Sequence, residues 1–180
     1  MRQFNFHPLP ILTTERLILR PLENSDREEI YFLRSDEQAN EFIDRPRATS
    51  MDDAENFIKY IQTAVQGNES LYWSITLKNS NKLIGTICYW NIQPQLSKAE
   101  IGYQLHTSYH RKGIMHETFS IVIPFGLNTI GFEIIEAYTH KDNLGSIRLL
   151  EKNNFKRDLL EEKKHSDLFN IVIYTLNSPG

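Results

Sequence analysis

The sequence predicts an α/β protein built on a mixed β-sheet, and three observations lead to this prediction. The 180 residues are 40% hydrophobic, 24% charged and 11% aromatic, which is typical of an ordinary globular domain. Segments rich in β-branched and aromatic residues are separated by segments whose apolar residues recur every three or four positions. Strands cluster before the middle of the chain and then alternate with helices. We expect a single domain over residues 1–180, with its core at about 13–176.

The first half of the chain predicts one strand, two helices and three further strands. Pro21 stops the first strand, and small polar residues followed by acidic ones start the first helix. Gly67 and Asn68 end the second helix, as in a C-terminal cap with left-handed backbone. These elements are a strand at 16–20, a helix from Arg27, a helix from residue 50 or 51 to Gly67 and Asn68, and strands at 71–77, 83–90 and 99–105. Short turns join the three last strands, which predicts an antiparallel meander.

The second half predicts alternating strands and helices. Its elements are a helix from 113 to about 128, a strand at 132–138, a helix at 143–153 and strands at 155–160 and 168–176, with 163–167 as their connection. Pro124 should bend or weaken the first of these helices, because it lacks an N–H and crowds the preceding turn. The predicted order is β-α-α-β-β-β-α-β-α-β-β. We expect a mixed sheet with helices on both faces and one right-handed parallel crossover in the second half.

Charge and cysteine content exclude several classes of function. Twenty basic and 23 acidic residues give a net charge of −3, whereas a bulk nucleic-acid binder is usually basic. Cys88 alone can form neither an internal disulfide nor a cysteine-rich zinc site. No export segment or membrane span is visible, so we expect a cytoplasmic protein. His106, His110 and His116 lie close together but lack the pattern of a metal site, and no metal is expected.

The most informative segment, 109–116, follows a predicted strand and opens a predicted helix. The N-terminus of a helix presents free N–H groups and the positive end of the helix dipole, which together attract anions. Arg111 and Lys112 add positive charge, and Gly113 permits a close approach of the backbone. The segment therefore indicates a phosphate or pyrophosphate site, although an ordinary basic turn has the same composition. Neither the Walker nor the Rossmann glycine pattern is present.

A second segment, 143–155, has a structural and a functional interpretation. Asn143 can cap a helix, Ser146 falls in its first turn, and Leu150 and Phe155 are typical core residues. Taken alone, this segment favours the structural interpretation.

Together the two segments resemble the Gcn5-related N-acetyltransferase (GNAT) superfamily, which transfers acetyl groups from acetyl-CoA to amines. That family has a pyrophosphate loop of the form Gln/Arg-x-x-Gly-x-Gly/Ala, matched here by residues 110–115 but for its first and last positions, His110 and Met115. Segments 15–20, 83–87, 99–105 and 143–155 resemble, in the same order, the branch of Rim-type ribosomal-protein N-terminal acetyltransferases. The resemblance implies the GNAT fold, with acetyl-CoA bound by His110, Arg111, Lys112, Gly113, Ile114 and Met115.

The resemblance also implies catalytic roles. Glu100 would be the general base, although it could instead be an exposed strand charge paired with Lys98. The backbone N–H near Leu105 would hold the thioester oxygen, and Asn143 would hydrogen-bond the pantetheine or the backbone around it. Many relatives place a tyrosine where this chain has Leu150, so Ser146 would donate a hydrogen bond to the departing thiolate. The strand at 132–138 would splay from the preceding strand to admit the pantetheine arm.

The acceptor stays open between a protein N-terminus and a small-molecule amine. Its pocket would be formed by the first two helices, their loop and the final hairpin. The loop's charges indicate no preference; they are Asp36, Glu37, Glu41, Asp44, Arg45 and Arg47. A non-catalytic acyl-CoA-binding module is the alternative to an enzyme, and a nucleotide-phosphate binder is the third class. A homodimer is left open, and neither nucleic acid nor membrane is expected as a partner.

Overall fold

A computed structural model describes residues 8–165 and 168–179 of the chain. The strands of this part are β1 Leu12–Thr13, β2 Leu17–Pro21, β3 Leu71–Leu77, β4 Leu83–Gln93, β5 Lys98–Leu105, β6 Ile134–His140, β7 Lys156–Arg157 and β8 Ile171–Asn177. The helices are α1 Arg27–Ser35, α2 Met51–Gln66, α3 Ile114–Pro124, α4 Leu144–Lys152 and α5 Leu159–Lys164. The strands form one sheet in the order β1-β2-β3-β4-β5-β6-β8-β7.

The sheet is mixed and mostly antiparallel, which confirms the predicted fold class. β3, β4 and β5 form the expected antiparallel meander, and β5 pairs with β6 in parallel across the α3 crossover. The remaining neighbouring strands pair antiparallel. The single parallel pair lies in the middle of the sheet, and it separates a five-strand half from a three-strand half.

Helices cover both faces of the sheet. Successive residues of a strand point to opposite faces, and the neighbours Tyr72 and Trp73 of β3 belong to different hydrophobic clusters. The larger cluster joins Trp73 to Phe119 of α3 and Leu150 of α4. The smaller one joins Tyr72 to α1 and α2, for example through Ile58. Because both faces bury apolar side chains, alternate residues of β5 face α1 and α2 on one side and α3 and α4 on the other.

The helix predicted from 113 to about 128 ends at Pro124 and continues as a π-helical turn, Phe125–Ile130. A proline at this point removes a backbone donor, as expected. Gly126 lies against Tyr89, and a Cβ there would approach the Tyr89 hydroxyl to 2.5 Å. The hydroxyl of Tyr89 donates to the carbonyl of Val122, so the exit of α3 is tied to β4.

One predicted strand was wrong, and one short strand was missed. Residues 155–160 were expected as a strand, but only Lys156–Arg157 is extended and Leu159–Lys164 is helical. Asp158 begins this helix by accepting hydrogen bonds from the N–H groups of Leu160 and Glu161. The short strand β1 was not predicted at all, because two residues carry no periodicity. The left-handed position after α2 is Asn68, with φ 59°, and not Gly67.

The connection expected at 163–167 lies partly outside the described residues, since 166 and 167 are not described. In the parts of the chain that are described, no helix is long and apolar enough to cross a membrane.

Candidate active site

A gap opens between β5 and β6 in the middle of the sheet. These strands pair only over their first three residues, with Glu100 opposite Glu136 as the last pair. β5 continues to Leu105 and β6 continues to His140 without further pairing to each other. The strands therefore splay after Glu100, as the resemblance implies, and the gap has room for an extended ligand.

Backbone N–H groups of β5 line this gap. Just after β5, the N–H of His106 donates to the carbonyl of Ile84 in β4. Because hydrogen-bonding direction alternates along an antiparallel strand, the N–H groups of Ile101, Tyr103 and Leu105 are directed away from β4. The N–H of Ile101 bonds to β6 at the last strand pair, whereas those of Tyr103 and Leu105 face the side where β6 has splayed away. A carbonyl oxygen placed in the gap can accept from these two groups.

The predicted phosphate loop lies at the end of β5, where the gap reaches α3. Gly113 is the N-terminal cap of α3 with φ 74°, and Arg111 has φ 60°. No side chain caps the first turn of α3. Among the described residues, the backbone N–H groups of Arg111, Lys112 and Gly113 have no hydrogen-bond acceptor. Free N–H groups, two exposed cations and the positive end of a helix dipole are features that attract an anion.

Ile114, Met115 and His110 have structural contacts within the protein. Met115 and Ile114 bury their side chains in the larger core cluster, so neither side chain narrows the loop. The His110 ring is hydrogen-bonded through Nε2 to the carbonyl oxygen of Leu105, at 2.9 Å. This contact ties the loop to the end of β5 and leaves the His110 ring less available to a phosphate.

Arg16 was not predicted as a site residue, yet its side chain contacts the loop. Its Nε is 2.6 Å from a carboxylate oxygen of Glu117, and its Nη1 donates to the carbonyl of Lys112. Glu117 also accepts from the hydroxyl of Thr14. These bonds connect the strand that precedes α1 to the first turn of α3. A contact between positions about one hundred residues apart leaves no local pattern in the sequence.

Glu100 lies where the strands part, and its environment differs from that of a surface carboxylate. Burial raises the pKa of Glu100 to about 7, and the nearby charge of Glu136 adds to this effect. Hydrogen bonds from the side chains of Asn91 and Trp90 oppose the shift. Lys98 does not pair with Glu100 but with Glu136, at 3.1 Å. A carboxylate with a pKa near neutrality can exchange protons with a ligand at physiological pH.

Ser146 lies on the other face of β5 and forms a pair with Tyr103. The two hydroxyl oxygens are 2.6 Å apart, and the Tyr103 ring packs edge-on against Phe119 of α3. Burial raises the pKa of Tyr103 to about 12, so its hydroxyl keeps its proton at neutral pH. Asn143 accepts from the N–H of Ser146, which confirms its helix-capping interpretation. Leu150 is fully buried in the core.

The arrangement places Glu100 and Tyr103 on opposite faces of the sheet. Glu100 and Tyr103 are three residues apart on β5, so their side chains point to opposite faces. Glu100 is on the face of α1 and α2, and Tyr103 is on the face of α3 and α4. The structure thus brings Glu100, Leu105, Ser146 and the 110–115 loop around one gap. In residues 8–165 and 168–179, no cluster of three or more metal-ligating side chains occurs.

Comparison with known proteins agrees with this geometry. The family described as an acetyltransferase (GNAT) domain matches residues 16–156. The uncharacterized N-acetyltransferase YoaA of Bacillus subtilis (strain 168) is 31% identical over 149 residues, 83% of this chain and 84% of that protein. The ribosomal-protein-S5-alanine acetyltransferase from Vibrio fischeri is 19% identical with a TM-score of 0.77, covering 94% of this chain and 97% of its own. RimL, a ribosomal L7/L12 alpha-N-protein acetyltransferase solved in complex with coenzyme A, is 18% identical with a TM-score of 0.80. The match covers 94% of this chain and 98% of the RimL chain.

Proposed function

Because this chain belongs to the GNAT family of acetyltransferases, we propose that it moves the acetyl group of acetyl-CoA to a primary amine by direct attack in a ternary complex. The observation that carries the proposal is the gap between β5 and β6, bounded by an anion site at one end and by Glu100 at the other. Such a gap fits a long, thin molecule with a phosphate group at one end and a reactive group at the other.

The loop of residues 110–115 binds the pyrophosphate. Backbone N–H groups and the side chains of Arg111 and Lys112 supply the contacts, while His110 positions the loop. The pantetheine lies in the gap, and Asn143 acts on it indirectly by fixing the first turn of α4. Acetyl-CoA is the source of the acetyl group, and no metal takes part.

Glu100 removes a proton from the attacking amine, which is mostly protonated in solution at neutral pH. The amine nitrogen then forms a bond to the carbonyl carbon, and the carbon–sulfur bond breaks. The N–H of Leu105 hydrogen-bonds to the carbonyl oxygen as it gains negative charge. Ser146 donates a hydrogen bond to the departing sulfur, and Tyr103 supports Ser146 through their 2.6 Å contact. Glu100 returns this first proton to solvent. The nitrogen loses its second proton to Glu100 or to water as the carbon–sulfur bond breaks, and the CoA thiolate takes up one proton from solvent, so one proton is released in all.

The acceptor is either a protein N-terminal α-amine or a small-molecule amine. Two of the structural relatives are acetyltransferases of ribosomal proteins, which makes a protein N-terminus one class to test.

Titration with acetyl-CoA followed by a thiol-release assay on a panel of amines and N-terminal peptides tests the proposal. We expect binding and thiol release that depends on the acceptor. Binding without release on any amine would contradict the enzyme and favour the non-catalytic acyl-CoA-binding module. A preference for ATP over CoA would instead favour a nucleotide-phosphate binder.

A further inference from the structure

Two arginines lie on the face of the sheet where Glu100 is found. Among the described residues neither forms an ion pair, although the charge of Asp53 acts on Arg34 from a distance. Arg34 is in the last turn of α1, and Arg45 is in the loop between α1 and α2. Both Arg45 and Glu100 act electrostatically on the buried thiol of Cys88. Cys88 on β4 pairs with Gly102 on β5, two residues beyond Glu100. Arg45 and Glu100 therefore lie near the same stretch of β4 and β5.

Arg45 is positioned by hydrogen bonds from only one of its three guanidinium nitrogens. Its Nη2 donates to Oδ1 of Asn40 at 2.8 Å and to Oε1 of Gln104 at 2.7 Å. Its Nε is buried and has no hydrogen-bond acceptor. Its Nη1 makes no hydrogen bond either, within the described part of the chain. Two neutral amides therefore fix the guanidinium, while part of its donor capacity is unused.

Arg34 is a second positive charge near the first. Its guanidinium carbon lies 3.9 Å from the centre of the Phe57 ring. Burial lowers the pKa of Arg45 to about 10, and the charge of Arg34 adds to that effect. Both side chains stay charged at neutral pH, so their repulsion is present in the folded protein.

The acidic residues of the same loop do not compensate these charges. Glu37 pairs at 3.6 Å with Arg47, and Asp36 accepts from the backbone N–H of Ala39. Glu41 and Asp44 are exposed. Across the residues placed by the structure, no carboxylate forms an ion pair with Arg34 or Arg45. A half-buried cation without an anionic partner raises the free energy of the folded state, and an anionic ligand would offset this.

We propose that the acceptor is an amine that also carries a carboxylate, and that Arg45, which contacts Gln104 next to Leu105, binds this carboxylate with Arg34 beside it while the amine attacks the thioester held at Leu105. The inference rests on the proposed function, because it names the acceptor of the same site. A guanidinium with free donors matches a carboxylate in geometry and charge. The same two cations repel polyamines and other acceptors without an anionic group.

The test compares acceptors that differ only in the carboxylate. kcat/KM is measured for free amino acids and dipeptides against their C-terminal amides. A second arm uses longer peptides with Asp or Glu after the N-terminal residue, against the matched Asn or Gln peptides. We expect the acid to exceed its neutral match by roughly 10- to 150-fold, through KM, as for a hydrogen bond to a charged group. The arm that shows the preference identifies a free acid or a protein N-terminus as the source; equal rates in both arms would overturn the inference.

Variants connect the preference to Arg45. Arg45→Gln should reduce the acid-to-neutral ratio to near one, whereas Arg47→Gln, an exposed arginine of the same loop, should leave the ratio unchanged. Arg45→Lys keeps one positive charge but loses the planar fork that matches a carboxylate. It should lower the ratio as well, and it covers the case in which Arg45→Gln does not fold. A ratio that survives both variants would contradict the assignment.

A binding measurement separates this inference from the proposed function. N-acetylated amino acids and their amides are titrated into the CoA-loaded protein, and no turnover is needed. The acid should bind more tightly, and the difference should disappear in Arg45→Gln. Equal affinities with normal thiol release would refute only the carboxylate site. Absence of thiol release with every amine would refute the proposed function, whatever the titration gives.

Discussion

At the scale of single residues, the environment of Glu100 determines how the site should respond to pH. Its carboxyl group is partly buried beside Glu136, and its pKa is raised to about 7. Tyr103 has the opposite role, because a pKa of about 12 keeps its hydroxyl protonated next to Ser146. A carboxyl group whose pKa lies near the working pH is suited to accept a proton, and a hydroxyl group whose pKa lies far above it stays a hydrogen-bond donor.

We expect Glu100→Gln to change the pH profile of the reaction. In the wild type, kcat should rise as pH increases through about 7, because only the deprotonated carboxylate is a base. The variant should lose this rise and should be about 10²- to 10⁴-fold slower above pH 7. Steady-state rates from pH 5.5 to 9 measure both effects. A variant with the wild-type profile would remove Glu100 from the mechanism.

Ionisation of Glu100 should lower the stability of the folded protein, although it should raise the rate. A raised pKa in the folded state means that ionisation of Glu100 is disfavoured there, so stability is lost as pH rises above the unfolded value of about 4.5. Glu100→Gln should therefore raise Tm at pH 8 and leave it nearly unchanged at pH 4. Thermal unfolding at the two pH values makes the comparison. A fall in Tm at pH 8 would show that the carboxylate is stabilised in the fold.

The Ser146 and Tyr103 hydroxyls should act as a unit. Ser146→Ala and Tyr103→Phe should each lower kcat, by at most about 10²- to 10⁴-fold, and the double variant should be little worse than either. Tyr60→Phe, on the exposed face of α2, is a matched control. Single-turnover rates with saturating acetyl-CoA measure the step. Additive losses in the double variant would mean that the two hydroxyls act separately.

At the scale of elements, the phosphate loop depends on Gly113 and on Arg16. Gly113 has φ 74°, which other residues adopt with strain, and Arg16 joins the loop to Glu117. The loop geometry is thus set by a local backbone requirement and by one long-range ion pair.

Gly113→Ala should raise the KM for acetyl-CoA with a smaller effect on kcat, because the loop binds a part of the substrate that does not react. Gly67→Ala, at a remote helix end with an ordinary φ of −77°, is the control and should leave the KM unchanged. Initial rates at varied acetyl-CoA give both constants. An unchanged KM in Gly113→Ala would refute the assigned loop.

Most elements could be predicted because their signals are local. Strand β3 has the predicted bounds, and α2 begins at Met51 as its capping residues indicate. Helix α5 was missed although Asp158, acidic Glu161 and Glu162 and two following lysines form a typical helix signal. Leu159 and Leu160 were taken for strand residues, yet both are exposed.

Site residues could be predicted only where a motif marks them. Gly113, Asn143 and Ser146 lie in segments with a recognisable pattern. Arg16, Tyr103 and Arg45 act through partners far away in the sequence, and their roles depend on the register of the sheet and the path of the α1–α2 loop. The loop's charges show no preference in the sequence; in the structure only Arg45 among them contacts the sheet.

At the scale of the whole molecule, the sheet consists of two halves that meet at three residue pairs. We expect amide hydrogen exchange to alternate along β5 in the free protein. The N–H groups of Glu100, Gly102 and Gln104 bond to β4, and that of Ile101 bonds to β6 at the last strand pair, so all four should be protected, whereas those of Tyr103 and Leu105 should exchange faster. Acetyl-CoA should slow the second set selectively, as residue-resolved NMR exchange can show. Uniform protection along β5 in the free protein would contradict the gap.

The splayed strands give the molecule two internal sheet edges. Edge strands normally lie at the outside of a sheet, where their unpaired backbone groups can pair with another chain. Here such groups occur in the middle, on β5 and β6, with Lys98 and Glu136 joining the strands at the closed end. A ligand that bonds to these edges takes the place of a missing strand. The supply of acetyl donor in the cell should therefore influence the solubility of the protein as well as its rate.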